Sequence, residues 1–96
     1  MPTATTTIIQ GSKEYLYVDI TADQALDDQP VEVAVTTARP AVDSWQAATW
    51  VGDVGTSRSA RILLDGLLTV GAYTVWVRLT DNPEVPILNA GRLKIA

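Results

Sequence analysis

Cysteine and histidine are both absent from this 96-residue chain. Without cysteine no disulfide can form, which disfavours a secreted, disulfide-stabilised domain. Zinc sites, cysteine nucleophiles and serine–histidine–aspartate triads are excluded, because their chemistry requires those side chains. The usual general base near neutral pH, histidine, is missing as well. The composition therefore predicts no enzyme, no metal site and no cofactor.

Basic residues and long apolar runs are also scarce. The chain has 7 lysines and arginines against 11 acidic residues, so its net charge is −4. This balance disfavours a protein held to nucleic acid by phosphate contacts. No apolar run approaches the roughly 20 residues that a bilayer span requires, and the polar start MPTATTT does not have the form of a signal peptide. We therefore expect neither nucleic acid nor a membrane as a partner.

Short alternating segments rich in threonine and valine dominate the sequence instead, as is typical of β-strands. The predicted strands are residues 4–10, 14–20, 31–37, 45–51, 58–64, 72–80 and 90–96. Glycine, proline and aspartate mark the turns between them. This spacing predicts an all-β fold, an immunoglobulin-like two-sheet antiparallel β-sandwich of about seven strands. A small closed barrel is the alternative.

The length of the chain fits one domain, residues 1–96. Residues 1–5 are predicted to be a flexible arm, or an arm that adds a strand to a neighbouring sheet. In an immunoglobulin-like arrangement, strands 31–37, 72–80 and 90–95 share one sheet, with the last two adjacent.

Tyr73 lies near the start of the sixth predicted strand, after a glycine-containing turn. In immunoglobulin-like sandwiches a tyrosine at this corner donates its hydroxyl to the backbone upstream, and the residue two places later points into the core. That residue is Val75 here. The alternative is an ordinary half-buried aromatic side chain.

Trp76 lies among the outward-facing residues of its predicted strand, where polar side chains are expected. The alternate residues Val75, Val77 and Leu79 form the apolar side of this strand, and Trp76 and Arg78 lie on its other side. Tryptophan and arginine are enriched in binding hot spots, so this surface is the first candidate for a partner interface. Its predicted residues are Trp76, Arg78, Arg92, Lys94 and Glu32. Two simpler explanations compete with docking, namely an arginine resting on the Trp76 ring and an ordinary cross-strand pair between Glu32 and Arg78.

A second candidate surface lies on the other predicted sheet. Its outward residues are Tyr15, Tyr17, Arg61 and Leu63. The remaining tryptophans are expected to pack, with Trp50 between the sheets and Trp45 closing one end. The acidic loop residues, among them Asp27, Asp28, Asp81 and Glu84, lack the spacing of an EF-hand, and solubility and turn capping explain them better than an ion site.

Several segments resemble small structural proteins of tailed phages of actinobacteria. These segments are IIQGSKEYLYV (8–18), WQAATWVGD (45–53), SARILL (59–64) and GAYTVWVRLTDNPEVPILNAGRLKI (71–95), and YTVWVRLTDNPEVP (73–86) is the most specific part. Residues 60–84 are also loosely similar to the N-terminal β-sandwich domain of phage baseplate upper proteins. The resemblance implies an immunoglobulin-like virion component and no enzyme, and it transfers no site residues.

This resemblance leads to a functional expectation. We expect a structural accessory protein of the virion, made in the cytoplasm of the host bacterium, that binds the major capsid protein as a minor capsid or decoration protein. The alternatives are a tail, neck or baseplate component that binds other virion proteins or a second copy of itself, and a carbohydrate-binding adhesive module in which an exposed tryptophan stacks on a sugar.

Overall fold

Eight strands in two sheets make up the computed structural model, which describes residues 5–26, 29–41, 44–66, 68–80 and 85–96. In chain order the strands are β1 (Thr5–Ile8), β2 (Lys13–Leu26), β3 (Val31–Thr36), β4 (Gln46–Ala47), β5 (Thr49–Val51), β6 (Gly55–Asp65), β7 (Gly71–Leu79) and β8 (Ile87–Ile95). The described residues include no α-helix, and so none long and apolar enough to cross a bilayer. The predicted all-β class is confirmed.

The sheets differ in size. The five-stranded sheet has the order β1-β8-β7-β3-β4, and the three-stranded sheet has the order β2-β6-β5. As predicted, β3, β7 and β8 share a sheet, and β7 and β8 are neighbours. Because the strands divide between two sheets with separate edges, the fold is not the closed barrel considered as the alternative.

The core lies between the sheets and is built by alternation. Successive side chains of a strand point to opposite faces, so every second residue is buried. The buried residues of β7 are Val75, Val77 and Leu79, and those of β2 include Leu16, Val18 and Ile20. Val33, Val77 and Leu93 are completely buried at 0% exposure, and they mark the centre of the core.

Several strand predictions differ from the structure. The predicted strand 45–51 is two strands, because the chain leaves the five-stranded sheet after β4 and enters the three-stranded sheet as β5. Ala48 lies between them and donates its backbone N–H to the carbonyl of Val31 at 2.9 Å. β2 continues to Leu26, which is 1% exposed, where a loop was expected. β1 pairs with β8 in parallel, so the predicted purely antiparallel arrangement is wrong for this pair.

The last strand also begins earlier than predicted, at Ile87, and it contains a bulge. Val75 pairs with Gly91 but Trp76 pairs with Asn89, which leaves Ala90 as an extra residue. The Asn89 side chain accepts a hydrogen bond from the backbone N–H of Gly91 at 3.0 Å. A bulge shifts the inward and outward positions by one residue, so alternation counted back from the end of the strand fails beyond it.

The predicted role of Tyr73 is confirmed. Its hydroxyl donates to the backbone carbonyl of Thr69 at 2.9 Å and lies 3.1 Å from the hydroxyl of the same threonine. Val75, two residues later, is buried. Tyr73 therefore fastens the turn before β7 to the strand itself.

Trp50 packs against the core, as predicted. Its indole N–H donates to the carbonyl of Gln29 at 2.9 Å, so burial leaves no unpaired donor on the ring. The predicted arm at residues 1–5 is described only at Thr5, which already belongs to β1. Residues 1–4 lie outside the described part of the chain.

Candidate functional site

The register places all five residues of the first candidate surface on the outer side of the five-stranded sheet. Glu32 pairs with Arg78 between β3 and β7, and Arg92 and Lys94 project from β8 on the side opposite Leu93 and Ile95. We call this surface the tryptophan face, with the members Trp76, Arg78, Arg92, Lys94 and Glu32. Its two ends have different chemistry.

Trp76 lies on the outer side but is only partly exposed. Its indole N–H donates to the hydroxyl of Thr36 at 3.1 Å. The cross-strand partner of Trp76 is Ala34, which is 1% exposed although it points to the same side. So small a side chain is buried on an outer face only beneath larger neighbours, and the register places Trp76 on one side of it and the chain just before β4 on the other. None of the described cation–π contacts involves Trp76, so the arginine expected on its ring lies elsewhere.

Arg78 is held by two neighbours at the same end of the face. Its Nε and Nη2 atoms donate to Glu32 Oε1 at 3.0 and 2.7 Å. This is the cross-strand pair considered as a simpler explanation, and both side chains are about one-quarter to one-third exposed (26% and 30%). Solvent screening limits such a pair to about 1 kcal/mol or less. Its structural effect is that the guanidinium of Arg78 is held against Glu32 on the outer side of the sheet.

The position predicted for Trp45 is wrong. It was expected to close one end of the sandwich. The structure instead places its ring 4.5 Å from the guanidinium carbon of Arg78, and because Arg78 points outward, Trp45 adjoins the tryptophan face. Ile87 is 52% exposed and also adjoins this face, since it pairs with Arg78 across β8. Sequence reasoning missed both residues.

Arg92 and Lys94 form the other end of the tryptophan face. Arg92 pairs with Thr74, and Lys94 pairs with Ala72, so both lie several residues away from the Glu32–Arg78 pair. Both are exposed, and within the described part of the chain neither forms an ion pair. In a chain of net charge −4, this end therefore carries two cations that no carboxylate of the described residues pairs with.

The second candidate surface lies on the outer side of the three-stranded sheet. Tyr15 pairs with Leu63, and Tyr17 pairs with Arg61, across β2 and β6. The guanidinium carbon of Arg61 lies 4.2 Å from the centre of the Tyr15 ring, and the two tyrosine rings are 6.4 Å apart. Tyr15, Tyr17 and Leu63 are 49%, 53% and 40% exposed. The four residues are here called the tyrosine face; Tyr15, Tyr17 and Leu63 are more exposed than Trp76, whereas Arg61 is partly buried.

The two faces point in opposite directions, because each is the outer side of one of the two packed sheets. A partner bound to one face therefore leaves the other face accessible. Whether either face binds a partner stays a prediction at this point.

The structure offers no metal centre in the part it describes. No group of three or more acidic side chains capable of holding an ion occurs among the described residues. Asp27, Asp28, Asp81 and Glu84, considered from the sequence, lie outside them. No statement about ion binding at those loops follows.

Comparison of the chain with protein-family models, with curated proteins and with solved structures finds no match. Any functional assignment therefore depends on the resemblance of the sequence segments given above and on the geometry of the two faces.

Proposed function

We propose that this chain is an immunoglobulin-like, non-enzymatic structural accessory protein of a phage virion, which binds the major capsid protein as a minor capsid or decoration protein. The tryptophan face is the docking surface. The observation that carries this proposal is the pairing, on one sheet face, of a pre-ordered aromatic and arginine group with two uncompensated cations.

The strand order supports the immunoglobulin-like part of the proposal. In that fold one sheet contains strands B, E and D, and the other contains G, F, C and, in variable-type domains, C′. The order β2-β6-β5 corresponds to the first set, and β8-β7-β3-β4 corresponds to the second. The hydrogen bond from Tyr73 to Thr69 occupies the position of the tyrosine corner at the start of strand F.

The aromatic end of the tryptophan face supports docking through its rigidity. Trp76 is hydrogen-bonded to Thr36, and Arg78 is held by Glu32 and Trp45. Side chains that are already ordered lose less conformational entropy on binding, which otherwise costs about 0.5–1.5 kcal/mol for each flexible side chain. Exposed Ile87 adds apolar surface next to this group.

The cationic end supports docking through its charge. Arg92 and Lys94 have no carboxylate partner among the described residues, so an acidic surface on the partner would complement them. Complementary charges steer association and fix the register of an interface.

The test is a charge reversal on phage particles that carry the gene for this chain. Lys94→Glu places a negative charge at the cationic end, opposite the acidic partner surface. We expect particle occupancy, measured by quantitative mass spectrometry against the major capsid protein, to fall about tenfold or more, since like charges at an interface cost several kcal/mol. Lys13→Glu is the matched control, because Lys13 is an exposed lysine on the other sheet, and it should leave occupancy unchanged.

Equal loss of occupancy in both variants, or no loss in either, would refute docking through the tryptophan face. An electron-microscopy map of the intact virion then tests the location. A copy number in the hundreds supports a capsid role, whereas one of about six or a small multiple supports the alternative of a tail, neck or baseplate component. Absence of the chain from purified particles would refute the virion proposal altogether.

A further inference from the structure

The three-stranded sheet carries a second, polar surface beyond the tyrosine face. Along β2 and β6, the rows that follow Tyr17 hold two cross-strand pairs, Asp19 opposite Ser59 and Thr21 opposite Ser57. These four residues are here called the hydroxyl rows. Asp19 and Thr21 lie on the same outer side as Tyr17, because they follow it by two and four positions along β2, and their partners Ser59 and Ser57 share that side.

The hydroxyl rows line a cleft of about 430 Å³. Val51 at the end of β5 and the following turn residues Gly52 and Asp53 form its other wall. Small-molecule sites occupy roughly 300–1,000 Å³, so the cleft is large enough for a sugar residue. No groove of this kind is evident from the sequence, since the sheet pairing is what brings β2, β5 and β6 together.

The hydrogen-bonding groups in the cleft are suited to sugar hydroxyls. Ser59 donates its hydroxyl to Asp19 Oδ1 at 2.6 Å, and the hydroxyls of Thr21 and Ser57 lie 3.3 Å apart. An ionised carboxylate has about four acceptor sites, of which Ser59 uses one, and each hydroxyl both donates and accepts. Adjacent hydroxyls of a saccharide require such a mixture of acceptors and donors.

Tyr17 does not line the cleft itself but stands beside it, where its ring would supply the apolar part of the site. It is 53% exposed and stands two residues before Asp19 on the same side of the sheet. The face of an aromatic ring carries partial negative charge, which attracts the partially positive C–H groups of a pyranose ring. A sugar stacked on Tyr17 would therefore direct its hydroxyls towards the hydroxyl rows.

The charges of the cleft favour a neutral ligand. Asp19 and Asp53 both line it. Its one cation, Arg58, is already engaged, with Nε donating to the carbonyl of Gly52 at 3.3 Å and the guanidinium 5.0 Å from the Trp50 ring. A sialylated or phosphorylated ligand would meet two carboxylates, and a polar cleft of this kind offers little apolar area for a protein partner.

We infer that the hydroxyl rows and Tyr17 form a binding site for neutral saccharides on the face of the sandwich opposite the tryptophan face. This inference does not rest on the virion proposal. The two are compatible, because docking through the five-stranded sheet leaves the three-stranded sheet exposed.

The test titrates the ¹⁵N-labelled chain with maltotriose, cellotriose and N,N′,N″-triacetylchitotriose, with 3′-sialyllactose as the acidic comparison, and follows the amide signals by NMR. We expect at least one neutral trisaccharide, at millimolar concentration, to shift the signals of residues 17–21, 51–53 and 57–59. The sialylated sugar should bind more weakly. Tyr17→Ala should weaken binding about tenfold, the loss that corresponds to one stacking contact.

Two variants keep the test specific. Tyr17→Phe retains the ring and should bind the sugar nearly as well as the unaltered chain. This result would show that Tyr17→Ala weakens binding through loss of the aromatic ring. Lys94→Glu, on the opposite face, should leave sugar binding unchanged, and Tyr17→Ala should leave particle occupancy unchanged. Absence of shifts with all three neutral sugars, or equal shifts in the Tyr17→Ala variant, would each overturn the inference, whereas loss of particle occupancy in that variant would count against the tryptophan face as the only docking surface.

Discussion

Gly66 lies at a point where two turns of the chain come too close for any side chain. It follows β6 and adopts φ +81°, and a Cβ atom added to it would lie 2.9 Å from the carbonyl oxygen and 3.1 Å from the carbonyl carbon of Gly11. Gly52 is a natural comparison, because it has almost the same φ, +84°, but a Cβ there would have no atom within 4 Å. Gly66→Ala and Gly52→Ala therefore differ mainly in the close approach to Gly11.

The expected magnitudes follow from these two geometries. A left-handed φ costs an alanine about 1–2 kcal/mol, and the reduced freedom of the unfolded chain offsets about 0.4–1 kcal/mol of this. Gly52→Ala should therefore lower the free energy of unfolding by about 1 kcal/mol. Gly66→Ala must also displace the Gly11 backbone, and overpacking of this kind costs about 1–3 kcal/mol more. Its total effect should be about 2–4 kcal/mol.

Urea unfolding followed by tryptophan fluorescence measures both variants, since the chain has 3 tryptophans. With a slope of about 1–3 kcal/mol/M, the midpoint should fall clearly further for Gly66→Ala than for Gly52→Ala, at unchanged slope. Equal destabilisation by the two substitutions would refute the reasoning, because it would mean that the contact with Gly11 has no energetic consequence.

Two further substitutions test the core and the corner. Tyr73→Phe removes the hydroxyl that donates to Thr69 and should lower the free energy of unfolding by about 1 kcal/mol, whereas the exposed Tyr17→Phe should change it by less than about 0.5 kcal/mol. Val33→Ala removes two methyl groups from a side chain with 0% exposure, and it should cost about 2–3 kcal/mol from lost burial and the cavity left behind. Val85→Ala, at a position 48% exposed, is its control. Thermal or urea unfolding decides both cases, and a control as destabilising as its core variant would contradict the assignment.

The members of both candidate faces followed from the sequence because alternation within a strand is a local property. Trp76 and Arg78 belong to one file of β7 whatever lies next to them, and the same holds for Tyr15 and Tyr17 in β2. The neighbours of these residues did not follow. Trp45 lies in the segment just before β4, far from Arg78 in the sequence. Its position was predicted wrongly because no local sequence pattern indicates which aromatic ring an arginine will contact.

The β8 bulge shows the limit of alternation most directly. The strand was predicted to begin at residue 90, and counting back in steps of two gives the wrong side for Ile87. One extra residue, Ala90, reverses inward and outward positions, so exposed Ile87 joins the tryptophan face. The bulge depends on the pairing of β8 with β7, which brings together residues that are distant in the sequence.

The sequence by itself determined the all-β class, the apolar file of most strands and the role of Tyr73, because each depends on side chains within a few residues of one another. Only the tertiary structure decided that β1 runs parallel to β8, that the segment around Ala48 crosses between the sheets, and that Asp19, Ser59 and the turn after β5 line one open cleft. Those features depend on which strands pair and in what register. Pairing is selected by burial of the whole core, which no single segment encodes.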